Sequence, residues 1–318
     1  MSVLALCGGV GGAKLAFGLA AEAADLTIAV NTGDDFEHLG LTVCPDIDTV
    51  LYTLSDLADR ERGWGLAGET WGFMAALARL GGETWFQLGD HDLATHVERT
   101  RRLAAGDSLS AVTAHLARAL GLKPGIVPMS DQPVRTHLLT DTGELAFQPY
   151  FVRERCAPVV RRVRYQGAAT AAPSPGFAAA LARPDLTAIV ICPSNPYLSI
   201  DPILAVPGVR EALQHAAAPI VAVSPIVAGQ ALKGPAAKLM AELGVEPGVE
   251  AVARHYAGLI DGLVVDTADA GAVPTIEALG VRALAVPSVM RSDDDRRRLA
   301  RDALAFAATL SQSRARAG

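Results

Sequence analysis

Short, almost unbroken apolar runs recur along this chain, separated by stretches with helical periodicity. The runs cover residues 3–7, 26–30, 186–192, 220–223, 263–265 and 283–286. Each has the length of a strand, and alternating strand and helix units of this kind indicate a parallel sheet with helices on both faces. The fold class read from the pattern is α/β: a Rossmann-like, doubly wound, mostly parallel sheet. Its core takes in about 1–58 and 184–318, and a mixed α/β insertion at about 59–183 caps the ligand edge within one elaborated domain.

From the end of the first core segment into the insertion run helical patterns, at about 49–58, 70–80, 93–105 and 109–120. It then turns to alternating, β-like segments at 134–140 and 144–152, joined by the turn-forming Asp141-Thr142-Gly143. Residues 167–176, rich in Ala, Pro and Ser, read as the best linker, too short to separate independent domains. The Arg-rich stretch 293–301 alternates clusters of both signs at helical spacing, the pattern of a solvated terminal helix, and receives no function.

Composition narrows the class. The 318 residues are 50% apolar and 19% charged, with a net charge of −6. No basic field is available for a nucleic-acid backbone, so nucleic acid is not an expected partner. Cys7, Cys44, Cys156 and Cys192 are too scattered for a zinc ribbon and too few for a disulfide framework, which suits a reduced cytoplasm. The apolar runs fall far short of the ~18–20 residues that span a bilayer. A glycine-broken amino terminus without a basic flank does not read as a signal peptide.

Chemistry gathers after the first two strands. The run 3–7 enters Gly8-Gly9-Val10-Gly11-Gly12, a loop nearly free of side chains, and a helix opens at Ala13-Lys14. Backbone N–H groups and a helix N-terminus there can approach a phosphate closely. The loop matches neither a Walker A, which needs Gly-Lys-Ser/Thr, nor the dinucleotide fingerprint. Asn31 stands where a nicotinamide-binding unit would place an acidic ribose clamp. After the second strand come Asn31-Thr32-Gly33-Asp34-Asp35 and Cys44-Pro45-Asp46-Ile47-Asp48. Aspartates also favour turns and helix caps, the plain reading of Asp34 and Asp35 as a turn and of Asp46 as a cap for the run that starts near Thr49. Asp46 and Asp48 flank one Ile behind a stiffening Pro, which on an extended segment puts both carboxylates on one side, a pairing suited to Mg²⁺. Further along, Gly89-Asp90-His91-Asp92-Leu93-Ala94-Thr95-His96 precedes Arg99, Arg101 and Arg102. Asp92 could be a helix cap, and His91 and His96, five apart, do not share a helix face for zinc. Pro193-Ser194-Asn195-Pro196 and Ser224-Pro225 follow later strands, where a doubly wound sheet collects ligand contacts. Trp64, Trp71, Trp85 and Phe86 offer core packing or a stacking surface.

Taken together, these segments resemble the 2-phospho-L-lactate transferase family of coenzyme F420 biosynthesis, whose actinobacterial members are phosphoenolpyruvate transferases. Arg62-Gly63-Trp64-Gly65, Pro128-Met129-Ser130-Asp131 and Val223-Ser224-Pro225-Ile226 add to the match. The family usually has Arg where this chain has His91. The resemblance implies transfer of a phospho-three-carbon-acid moiety from a guanosine diphosphate ester to the deazaflavin Fo, with GMP leaving. It implies Mg²⁺ as cofactor, a homodimer, and small-molecule partners only. It places the donor on Gly9, Val10, Gly11, Gly12, Lys14, Ser194 and Asn195. Fo would meet Asp48, Gln87, Asp90 and His91. Asp46 and Asp48 would be catalytic and bind the metal, with Asp35 a further candidate ligand. A non-catalytic nucleotide-sugar-binding regulator similar to the gluconeogenesis-factor family is the alternative; it lacks the 89–96 element.

Overall fold

The computed structural model describes residues 1–231 and 234–317. Seven parallel strands form the central sheet: β1 (Ser2–Cys7), β2 (Asp25–Val30), β3 (Gly125–Pro128), β4 (Leu186–Ile191), β5 (Ile220–Val223), β6 (Gly262–Val265) and β7 (Arg282–Ala285). Their spatial order is β7-β6-β5-β4-β1-β2-β3. Strand order therefore reverses between β1 and β4, and an open α/β sheet binds ligands in the crevice at such a switch point.

The apolar continuity of the strands follows from burial on both faces. Val3, Ala5 and Cys7 of β1 enter one core layer and Leu4 and Leu6 the other. Helix α1 (Gly9–Glu22) covers the first of these faces, flanked by α2 (Pro45–Leu54) and the C-terminal helix Asp293–Ala317. Gly18 of α1 faces the Arg296 carbonyl so closely that a Cβ has no room, which seats the C-terminal helix directly on α1.

Outside the sheet, a hairpin pairs Phe36–His38 with Leu41–Val43. Helices α3 (Gly72–Arg79), α4 (Asp90–Ala104) and α5 (Leu109–Ala119) follow. An antiparallel sheet of Gly143–Ala146, Arg135–Thr140 and Val160–Gln166 lies beyond them.

Four elements depart from the sequence expectation, the first being the β-like run 144–152, which is a strand only over Gly143–Ala146 and turns helical at Pro149–Arg153. The edge strand β3 comes from within the stretch assigned to the insertion; its four residues, ending in Pro128, are too short to announce themselves. Val160–Gln166 carries three arginines and hides its strand character behind them. The 167–176 segment is no linker: Ala168, Ala171 and Ser174 are buried, and the Ser174 hydroxyl donates to Pro128 O at 2.6 Å. Among the described residues no helix is long and apolar enough to cross a membrane.

Candidate active site

The glycine loop lies at the switch point, and its glycines serve different ends. Gly9 has φ +65°, and no atom stands within 4 Å of a Cβ built there. Gly11 and Gly12 instead face inward: their Cβ positions fall 2.5 Å from Pro193 O and 2.6 Å from Ser194 Oγ. These two residues let α1 press against the turn after β4. The Ser194 hydroxyl fixes that contact by accepting from Gly8 N–H at 3.1 Å and donating to Gly8 O at 2.7 Å. Asn195 Oδ1 accepts from the Tyr197 and Leu198 N–H groups, while its buried Nδ2 has no protein partner. Val10 and Lys14 look toward α2, and Lys14 Nζ donates to Met290 O at 3.2 Å.

Asp46 and Asp48 do not share one side of an extended segment. Pro45 opens α2 rather than stiffening a strand, so both carboxylates sit in the first helical turn. Two residues apart on a helix they diverge by ~200°. Asp46 points at the glycine loop, where Oδ1 accepts from Gly9 N–H at 2.6 Å and Oδ2 from Asn31 Nδ2 at 2.9 Å. The same Asn31 amide reaches Asp34 Oδ1 at 3.3 Å, and its Oδ1 accepts from Gly33 N–H at 2.8 Å. Asn31, read from sequence as a missing ribose clamp, thus ties Asp46 to Asp34.

Asp34, Asp35 and Asp46 are all buried, and among the described residues none has an ion-pair partner within 4.0 Å. Burial pushes the Asp46 carboxyl up to about 6, against the pull of the Asn31 and Gly9 hydrogen bonds. Burial likewise raises Asp35 to about 7, with Arg135 opposing. Asp34 rises well above its ordinary value through burial and then the charges of Asp46 and Asp35. Asp35 Oδ1 has no hydrogen-bond donor. Three buried carboxylates with no ion-pair partner within 4.0 Å, beside the head of α1, offer oxygens of the kind a hard divalent cation takes. Asp34 and Asp35 are therefore more than a surface turn.

Asp48 turns the other way, into a closed network. Both its oxygens are held by the fully buried Arg99, Nη1 at 3.1 Å and Nη2 closer still. Burial works against the Arg99 charge, and Asp48 outweighs it, keeping the guanidinium protonated. His96 Nδ1 lies 3.7 Å from Asp48 Oδ2 and its Nε2 3.3 Å from Asp92 Oδ2. Tyr52 donates to Asp92 Oδ1 at 2.6 Å. Asp92 is thus a buried member of this network, while Gly89 caps α4. Asp92 and His96 share a helix face at the i, i+4 spacing that His91 and His96 lack. Asp48, Asp92 and His96 gather ligand atoms within 4.8 Å of one another, with Arg99 already supplying the cation.

The residues expected to meet Fo fall at the start of α4, with different freedom. Asp90 is occupied: it accepts from Thr70 Oγ1 at 2.5 Å, Gly72 N–H at 2.9 Å and Phe73 N–H at 3.0 Å, capping α3. His91 is exposed, its N–H donating to Glu69 Oε2 at 2.8 Å. Gln87 is exposed and donates to Thr84 O at 2.7 Å. The aromatics form two clusters. Trp64 and Trp71 meet edge to face, with the Arg62 guanidinium 4.9 and 5.0 Å from their rings, and Trp85 and Phe86 pack with Phe36 and His38.

A switch-point glycine loop, a helix N-terminus and three buried carboxylates mark a doubly wound α/β protein with a candidate ligand site at the switch point. Comparison with known proteins narrows this: residues 3–286 match the family described as 2-phospho-L-lactate transferase CofD, and the chain belongs to it. It is 47% identical to a phosphoenolpyruvate transferase of Streptomyces griseus, over 96% of this chain and 98% of that one. A phosphoenolpyruvate transferase of Thermobifida fusca is 40% identical over 93% and 94%. The fold is also that of a upf0052 family protein from Bacillus halodurans, with a TM-score of 0.62 at 18% identity over 95% of this chain and 99% of that one.

Proposed function

We propose that this chain transfers a phospho-three-carbon-acid group, of the phosphoenolpyruvate or 2-phospho-L-lactate type, from a guanosine diphosphate ester to the terminal ribityl hydroxyl of Fo. The hydroxyl oxygen bonds to the phosphorus bearing the acid, the diphosphate bridge breaks, and GMP leaves with the bridging oxygen. Membership of the family and the names of the relatives support the reaction class. The single observation that carries the site is the Asn31-bridged pair of Asp34 and Asp46 against the head of α1.

The N–H of Val10 at the head of α1, with Asn195 Nδ2, holds the diphosphate, while the Gly9 N–H stays with Asp46. Asp46 and Asp34, with Asp35 beside them, hold Mg²⁺, which supplies charge neutralisation on the diphosphate when bound. Asp35 Oδ1, the oxygen without a protein donor, receives the hydroxyl proton. Asp48 acts from behind: clamped by Arg99, it is a positioning residue that fixes the first turn of α2 and through it Asp46. Gln87 and His91 have side chains open to the deazaflavin, and Asp90 orders the turn that presents them. The protein acts in the cytoplasm as a homodimer. The test is transfer itself: purified protein, Fo, Mg²⁺ and each candidate donor, with product and GMP followed by mass spectrometry.

A further inference from the structure

The Arg-rich start of the C-terminal helix does not lie wholly in solvent. Arg296 is only 6% exposed. Its guanidinium packs over Phe17 at 5.2 Å, Nη1 pairs with Asp293 Oδ1 at 3.1 Å, and the buried Nε has no hydrogen-bond partner. Gly18, by admitting the Arg296 backbone against α1, fixes it there.

Arg296 lines a partly open cleft of about 90 Å³ beside the glycine loop, together with Val10 of α1, Tyr52 of α2 and Trp64. Its charged lining is Lys14, Arg60, Arg291 and Arg296 against Asp56 and Asp59. Both carboxylates are already engaged, Asp56 by Arg60 and Asp59 by Arg62, each at 2.6 Å. Arg60 and Arg296 also share Asp293, and the Arg296 Nε–H is buried at the edge of this lining without an acceptor. Burying such a donor is costly unless an acceptor arrives. Pockets for drug-sized ligands run to ~300–1,000 Å³, so this one admits a single oxyanion group and not a ring system.

We propose that this cavity is an oxyanion subsite. Arg296 and Arg291 donate hydrogen bonds and Lys14 adds charge, so that an anionic group of the donor is seated one helical turn from the glycine loop. The occupant rests on the function proposed above. Its chemistry, a carboxylate of the three-carbon acid or a phosphoryl group, is shared between two parts of that donor.

Trp64 lines the cavity and serves as the reporter. Inorganic phosphate and acetate are titrated separately into the full-length protein while tryptophan emission is read, with Trp64→Phe as the control that should lose the signal. A saturable response is expected, weakened at least tenfold by Arg296→Gln and by the surface substitution Arg291→Ser. Tighter phosphate binding assigns the subsite to a phosphoryl group, and tighter acetate binding to the carboxylate. In turnover, Arg291→Ser should raise KM for the donor about tenfold and leave KM for Fo unchanged. Absence of saturable binding by either anion, or wild-type binding and donor KM in both arginine variants, overturns the subsite even if transfer proceeds. Anion binding lost in the variants of a protein that transfers nothing would uphold the subsite and refute the transferase reading.

Discussion

At the level of single residues, the two aspartates of the Pro45-Asp46-Ile47-Asp48 segment part company, and their substitutions should too. Asp48→Asn leaves the buried Arg99 without its counter-charge, and removing one partner of a buried pair costs ~3–5 kcal/mol. Thermal or urea unfolding of Asp48→Asn should therefore fall by about that amount, and Arg99→Met by a similar one; a change within ~0.5 kcal/mol, as for an ordinary surface substitution, would contradict the network. Asp46→Asn strands no charge, but its amide meets either Gly9 N–H or Asn31 Nδ2 donor to donor, so it should lose ~1–3 kcal/mol of stability. It should also lose Mg²⁺-dependent activity by ~10²-fold or more. The carboxylate cluster also makes a pH statement. Burial raises Asp46 to about 6 and Asp35 to about 7, above the unfolded value of ~3.9. The folded state then holds more protons than the unfolded one, and this contribution to stability is lost as pH rises from ~4 through 6–7. Divalent cation relieves the loss. The rise in Tm on exchanging EDTA for Mg²⁺ should grow from pH 5 to 7.5; a rise independent of pH would remove the cluster from the metal site.

At the level of elements, the glycine loop is two structures in one. Gly11→Val puts a branched side chain onto Pro193 O, so its effect should be overpacking, ~1–3 kcal/mol of stability, with both substrates' binding impaired together. Gly9→Ala has open space around its Cβ but strains a left-handed backbone, for ~1–2 kcal/mol. That methyl group enters the mouth of the site, so donor KM should rise while Fo binding persists. Equal losses for the two ligands in Gly9→Ala would contradict the open-mouth assignment. The sequence betrayed the loop through its glycine density, but could not say which glycines face ligand and which face protein, because that depends on the turn after β4, over 180 residues away. The same holds for α2. Aspartates before an apolar run are compatible with an extended approach or a helix start, and the Gly9 contact that distinguishes them is tertiary.

Across the whole molecule, the parallel sheet was legible because strands covered on both faces must be continuously apolar, and those runs stand out. What escaped was whatever depended on neighbours: β3, only four residues long; Val160–Gln166, arginine-rich on its outer side; and the buried Arg99, His96 and Arg296, which look like surface charges until the helices dock. The 89–96 segment drew notice for its polar density, yet only the i, i+4 relation of Asp92 to His96 foretold the network beneath it. The site's central claim is that a carboxylate cluster and a glycine loop at the β1/β4 switch point transfer a phosphorylated three-carbon acid to a deazaflavin. Its most direct test is mass spectrometry of the reaction of Fo with the enolpyruvate- or lactate-capped guanosine diphosphate. A phosphodiester of Fo and one equivalent of GMP should form, and only with Mg²⁺. Unchanged Fo, or guanosine released as GDP rather than GMP, would contradict it.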